Sequence, residues 1–126
     1  MQLQLQKACP ILAARDIGAA LAWYRDKLGF TIEGDWGDYG IATRDMIELH
    51  FWKCDDRHIA ENTSAYIRVS NAQDAYESMK NAGQGGGRIV APQRRAWGMV
   101  EFYIWDPDGN LLRFGELSAS GETAYA

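Results

Sequence analysis

An acid, an imidazole and an indole alternate at Glu48, His50 and Trp52 in the run Met46-Ile47-Glu48-Leu49-His50-Phe51-Trp52. Successive side chains of a β-strand point to opposite faces, so these three share one face while Ile47, Leu49 and Phe51 share the other. The apolar set is core. The polar set suits a wet surface that meets a ligand, and could instead be tied up in ion pairs. Catalysis finds little to work with. The histidines are His50 and His58, and no serine or cysteine sits in a nucleophile context such as a GxSxG elbow. Cys9 is in principle a soft metal ligand or nucleophile, but a buried structural thiol is the plainer reading. The tract Gly85-Gly86-Gly87 matches neither a phosphate loop nor a dinucleotide fingerprint.

Aromatic residues give the stronger sign of a site. The chain has five tryptophans and six tyrosines, and Trp36, Tyr39, Trp52, Tyr66 and Trp97 lie beside turns or polar residues instead of inside apolar runs. Flat heteroaromatic ligands bind between such rings because stacking adds to apolar burial. For any one ring core packing is an equal reading; the group reads as a site. Trp23 and Trp105 are assigned to packing or a subunit surface. Glu33, Asp35 and Asp38 read as partners for a cationic ligand or as solvated turn residues. Asn62, Thr63 and Ser64 read as polar contacts or as ordinary strand-entry residues. Arg88, Arg94 and Arg95 read as a solvent-facing basic cluster.

Composition bounds these readings. A chain of 126 residues, 47% apolar and 24% charged, allows one α+β domain with a buried core. A net charge of −4 disfavours nucleic acid and weakly favours a cationic ligand. Cys9 and Cys54 lack metal-knuckle spacing and are expected reduced. The longest apolar stretch, around residues 8–14, is far short of a membrane span, and no signal-like segment is read at the N-terminus. A cytoplasmic protein is expected, with no membrane partner.

The elements that must position these residues occur in two similar runs. Residues 11–15 read as a strand, Asp16 as an N-cap, and Ile17, Leu21, Tyr24 and Leu28 as one helical stripe stopped by Gly29. Strands at 31–36, 40–43 and 47–52 follow, with turns at 35–38 and 44–45. The order recurs with a strand at 65–69, a helix from Ser70 or Asn71 carrying Ala72, Ala75, Tyr76 and Met79 to Gly83, and strands at 88–90, 100–105 and 110–114. The cap-like Asp16 and Asn71 and the stopping Gly29 and Gly83 keep nearly the same separation, which supports a duplicated βαβββ unit. Residues 84–97 read as a long loop that either covers a ligand or merely connects. The boundaries are module one at about 8–56, module two at about 62–117, and a tail over 118–126.

Several segments together resemble the bleomycin resistance proteins of the glyoxalase/bleomycin-resistance group, in the vicinal-oxygen-chelate superfamily. They are Pro10-Ile11-Leu12 with Arg15-Asp16, Trp23-Tyr24 with Leu28-Gly29-Phe30, Glu48-Leu49-His50, Ala65-Tyr66-Ile67-Arg68-Val69, Trp97-Gly98-Met99-Val100-Glu101-Phe102, and Asp106-Pro107-Asp108-Gly109-Asn110-Leu111-Leu112-Arg113-Phe114-Gly115-Glu116. The resemblance runs from Pro10 to Glu116. It implies two βαβββ modules forming a curved mixed sheet, and a homodimer whose N-terminal strands are exchanged near Pro10. It also implies grooves between subunits that sequester a bleomycin-type glycopeptide, metal-free or metal-loaded, without modifying it. The superfamily's metalloenzymes hold a divalent ion at four strand positions, which fall here on Cys9, Glu48, Ser64 and Arg113. One carboxylate and an arginine do not suit a hard cation, so neither a bound metal nor another cofactor is expected. The expected ligand-binding residues are Trp36, Tyr39, Glu48, His50, Trp52, Asn62, Tyr66, Trp97 and Arg113, with no catalytic residue; a Glu48–Arg113 ion pair on a groove floor is a compatible alternative. The competing readings are a metal-dependent lyase, isomerase or dioxygenase of the same fold using Glu48 and His50, and a binder of a different planar antibiotic.

Overall fold

The computed structural model describes residues 2–117; the expected tail over 118–126 lies outside the described residues. The chain runs β1 (Ile11–Ala14), α1 (Ile17–Leu28), β2 (Thr31–Asp35), β3 (Tyr39–Arg44), β4 (Ile47–Lys53), α2 (Arg57–Glu61), β5 (Ser64–Arg68), α3 (Ala72–Met79), a 3-10 turn (Lys80–Gly83), β6 (Arg88–Arg94), β7 (Met99–Trp105) and β8 (Leu111–Leu117). The strands form two four-stranded sheets of matching order, β1-β4-β3-β2 and β5-β8-β7-β6. Each contains one parallel pair, β1 with β4 and β5 with β8, and is otherwise antiparallel. The duplicated α+β unit expected from spacing is therefore present, with an added short helix between the halves.

Local sequence explains the helices. Asp16, in an extended conformation, accepts from the Ala19 amide at 2.9 Å and starts α1; Gly29 at φ 74° ends it. The buried stripe Ile17, Ala20, Leu21, Tyr24 and Leu28 faces the first sheet. Asn71 caps α3 in the same way through the Asp74 amide. That helix stops at Met79, four residues short of Gly83, and tightens into the 3-10 turn. The connection over 84–97 differs from expectation. Its part up to Arg94 is mostly strand, with a register shift between Val90 and Gln93 that lodges Pro92 on the sheet edge, where a missing amide is tolerated. Half of the segment read as loop is strand.

Helices cover one face of each sheet, and a single apolar core runs between them, joining Leu12, Tyr24, Leu49 and Phe51 of the first half to Ile67, Phe102, Leu112 and Phe114 of the second. Phe102 and Phe114 stack at 4.7 Å. Ala60 of α2 packs on Ala13 and Cys54 as a small satellite.

A buried polar seam fixes one half against the other. The Asn110 amide donates to the Ala13 carbonyl at 2.8 Å, and its oxygen accepts from the Ala13 amide at 3.3 Å. Next to it Asp106 accepts from the Tyr24 hydroxyl at 2.7 Å, from Asn110 Nδ2 at 2.9 Å and from the backbone amides of Asp108, Gly109 and Asn110. Burial pushes the Asp106 carboxyl up from 3.8 to about 6, against the downward pull of the Tyr24 and Asn110 bonds.

Replacing Asn110 with alanine should strand both Ala13 backbone groups in the core, costing about 2–4 kcal/mol and lowering the melting temperature by roughly 10 °C; a melt within a degree or two of the parent would show the seam to be dispensable. The raised carboxyl sets a pH signature. A folded-state value above the unfolded one stabilises fully below pH 3.8, and the contribution is lost as pH rises through about 6. Asp106→Asn should flatten that fall in denaturant-derived stability between pH 4 and 6, and an unchanged slope would assign it to other groups.

Candidate functional site

The sheet faces that the helices leave uncovered carry most of the candidate residues. On the first sheet, β4 lies between β1 and β3 with Ile11 opposite His50, and with Tyr39, Ile41 and Thr43 opposite Trp52, His50 and Glu48. Directly paired residues share a face, so the alternation read from sequence holds and Tyr39 joins it. The Tyr39 hydroxyl meets His50 Nδ1 at 2.7 Å, and His50 Nε2 meets Glu48 Oε2 at 2.6 Å. Lys7 Nζ donates to Glu48 Oε1 at 2.7 Å. The bonds from His50 and then Lys7 hold the Glu48 carboxyl down at about 2, so it is ionised at neutral pH. Trp36 joins this surface from the β2–β3 turn: Gly34 pairs with Ile41, and a Cβ on Gly34 would overlap the Trp36 ring. Trp36 and Trp52 are 63% and 39% exposed.

On the second sheet the organiser is a residue that sequence reasoning missed. Glu101 on β7 is 1% exposed, yet it lies beneath exposed aromatics. Its Oε2 accepts from the Tyr66 hydroxyl at 2.6 Å and from Trp97 Nε1 at 3.1 Å; its Oε1 accepts from the Tyr103 hydroxyl at 2.7 Å. Burial pulls this carboxyl upward, but the donors Tyr66, Tyr103 and Trp97 outweigh it and leave it below the usual carboxylate range. Arg95 Nε donates to the Tyr103 hydroxyl at 2.9 Å, and the Arg113 guanidinium lies 5.6 Å from the Tyr103 ring centroid. Gly115 makes this possible. It faces Glu101 across the β7–β8 ladder, and any Cβ there would overlap the Tyr66 hydroxyl. The tyrosine therefore crosses β8 over a bare backbone to reach the carboxylate. The alternation of Glu101, Tyr103 and Trp105 along β7 was the available signal.

Several expectations need correction. Glu48 and Arg113 make no ion pair among the described residues; Glu48 on β4 is taken by Lys7 and His50, and Arg113 on β8 lies by the Tyr103 ring. Arg95 is half-buried against Tyr103 and Trp97, not solvent-facing, whereas Arg88 and Arg94 are exposed as read, Arg88 lying over the Trp105 ring at 3.7 Å. Cys9, read as a buried thiol, is half-exposed beside Glu48, and the buried thiol is Cys54. Asn62 joins neither aromatic surface through its amide nitrogen, which donates to the His58 carbonyl at 2.8 Å at the end of α2. Trp23 packs in the core.

The sequence profile of the Glyoxalase/Bleomycin resistance protein/Dioxygenase superfamily matches residues 8–114. The chain belongs to that superfamily. Among curated superfamily members, a bleomycin resistance protein of Klebsiella pneumoniae is 31% identical over 113 residues, covering 85% of this chain and 89% of the relative. One of Geobacillus stearothermophilus is 25% identical over 129 residues, covering 86% and 94%. Among solved structures, the bleomycin-binding protein of bleomycin-producing Streptomyces verticillus complexed with copper(II)-bleomycin superposes with a TM-score of 0.80 at 26% identity, over 90% of this chain and 97% of that one. A bleomycin resistance determinant encoded on transposon Tn5 gives 0.77 at 30% identity, over 89% and 98%.

The superfamily's four metal positions do not fit an ion here. Ser64 offers only a neutral hydroxyl, and the Arg113 guanidinium has no lone pair to give and repels a cation, so two of the four positions supply no suitable donor.

The Tyr66–Gly115–Glu101 crossing generates a test. Gly115→Ala should destabilise by about 1–3 kcal/mol, since it displaces a donor from a buried carboxylate. Tyr66→Phe removes the same bond, so the double variant should lose less than the sum, with a coupling of about 1 kcal/mol in denaturant melts. Additive losses would mean that the ring does not depend on the bare glycine.

Proposed function

We propose that this protein is a binding protein, not an enzyme: it captures a bleomycin-family glycopeptide stoichiometrically and without modification, in two grooves between the chains of a homodimer. The observation that carries the reading is the pair of aromatic sheet faces left open to solvent, where Trp36, Trp52, Tyr66 and Trp97 are 63%, 39%, 46% and 54% exposed. Such rings fit a flat bithiazole-like unit between them. Relatives named for bleomycin resistance, and one solved in complex with copper(II)-bleomycin, support the choice of ligand. Tyr39, Glu48 and His50 on one face and Arg113 on the other supply polar contacts. Asn62 contributes a rim contact through its side-chain oxygen alone. The net charge of −4 favours a cationic ligand tail.

The second copy of the chain is part of the reading. Residues 2–10 belong to no strand, and Leu3 and Leu5 on that segment are 91% and 95% exposed. A partner's sheet is the surface we assign to them, which makes Pro10 the crossover and closes each groove with faces from both chains. No helix among the described residues is long and apolar enough to cross a membrane. Both cysteines are free, as a reducing compartment keeps them, and the proposal places capture in the cytoplasm.

Calorimetric titration with metal-free and copper-loaded bleomycin, with and without chelator, should give chelator-insensitive binding near one ligand per chain, and the antibiotic should be recovered intact. Trp97→Ala should weaken it roughly tenfold, 1.4 kcal/mol. Recovery of a chemically altered antibiotic would move the assignment to an enzyme of the same scaffold; no heat with either form would move it to a different planar drug.

A further inference from the structure

We propose that the cleft beside α3 is a second small-molecule site, for a neutral compound that joins an aromatic ring to a carboxamide. The cleft holds about 410 Å³ and is floored by Phe30, Ile47, Ile67, Met79 and Phe114, a volume and lining suited to a small ligand. Ile47 alternates with Glu48 on β4, Ile67 with Tyr66 on β5, and Phe114 with Arg113 on β8. The cleft therefore opens on the side of the sheets opposite to the aromatic faces. It shares no residue with the surfaces assigned to the antibiotic or with the superfamily's metal positions, and none with residues 2–10.

Comparison of the two units explains why a cleft is there. The caps Asp16 and Asn71 align α1 with α3, which matches Tyr24 with Met79. The parallel ladders pair Ala13 with Trp52 and Arg68 with Gly115, and the same number of residues back along β4 and β8 matches Ile47 with Asn110. Where α1 meets the second unit, the Tyr24 ring is fully buried with its hydroxyl on Asp106, and the Asn110 carboxamide pairs with Ala13. Where α3 meets the first unit, those two places fall to Met79 and Ile47, which carry neither a ring nor an amide. Both line the cleft. One junction is thus filled by a ring and a carboxamide from the chain itself, and the other lacks them.

The missing groups define the ligand. An aryl carboxamide restores both, its ring against Ile47, Phe114 and the Met79 thioether, a lining that suits an aromatic face. Its carboxamide lies at the rim, where Ser70 offers a hydroxyl and Asp74 a carboxylate. The rim charges balance, Arg44 and Arg68 against Asp45 and Asp74, so a neutral head is favoured over a charged one. Met46 stands at the mouth, 92% exposed. Its flexible thioether can fold over a bound ring without disturbing the core.

Methyl-labelled methionine reports this site directly, since Met46 and Met79 line the cleft while Met99 is buried elsewhere. Full-length protein titrated with benzamide should show saturable shifts of the Met46 and Met79 methyl resonances with Met99 unmoved, at the millimolar affinity expected of so small a ligand. Benzoate and benzylammonium should each bind roughly tenfold more weakly. Ala75→Phe, which fills the cleft from α3, should abolish the shifts while keeping the parent's far-ultraviolet circular dichroism. Met46→Ala, at an exposed position, should keep the parent's melting temperature and weaken benzamide roughly threefold, read at Met79. Unmoved Met46 and Met79 resonances in the parent overturn the proposal. So do shifts that survive Ala75→Phe, a parent-like affinity in Met46→Ala, or benzoate binding as tightly as benzamide. No antibiotic enters the titration, so failure here leaves the capture proposal standing.

Discussion

The geometry of this molecule hangs on the buried amide of Asn110. Two similar units meet across an apolar core, and apolar contact alone would let them slide. Asn110 removes that freedom by pairing with both backbone groups of Ala13 as another strand would, while Asp106 collects Tyr24 and three turn amides at the same point. Each bond adds little net stability, but an unmade one in this setting is expensive, so only one alignment of the halves is tolerated. Ala13 lies in β1, beside β4; Asn110 immediately precedes β8. The seam therefore indexes the strand bearing Glu48, His50 and Trp52 to the strand bearing Arg113 and Gly115.

The same economy governs the open faces. The polar groups beneath the aromatics are held by neighbouring side chains: Tyr39 by His50, His50 by Glu48, and Tyr66, Trp97 and Tyr103 by Glu101. Rings held this way surrender little rotamer freedom when something stacks on them, which lowers the entropic cost of binding. The two faces differ in electrostatic character. The first presents an ionised carboxylate compensated by one exposed lysine; the second buries its carboxylate under a layer of ring donors, with Arg95 and Arg113 beside Tyr103.

Local signals were legible wherever they had a local cause. Asp16, Asn71 and Gly29 mark helix ends because a cap acts on its own chain within a few residues, and β4 declared its two faces by alternation. What stayed hidden depended on partners far along the chain. Helix α2 is five residues long, too short for a periodic pattern, and is fixed by the Asp56 cap and by Ala60 seating on Ala13 and Cys54. Residues 91–94 read as loop, and Pro92 is tolerated in β6 only because that strand lies at the sheet edge. Glu101 looked like an ordinary strand acid, since nothing near it in sequence announces that Tyr66, 35 residues away, will cover it. Likewise Glu48 and Arg113 carry complementary charges, yet the first is taken by Lys7 and His50 and the second lies by the Tyr103 ring.

The bridge of Tyr66 over Gly115 bears on how this surface can diversify. Tyrosine, glycine and glutamate at 66, 115 and 101 form one mechanical unit: a larger residue at 115 evicts the ring, loss of the ring uncovers the acid, and loss of the acid releases Trp97. Single steps away from this trio pass through a damaged intermediate, so drift should leave it intact or replace it wholesale. Trp36 and Trp97 stand in turns, where exchange costs the core little. The floor is thus inherited as a block while the walls remain open to substitution, so the exposed rim can change its rings without disturbing the sheet beneath it.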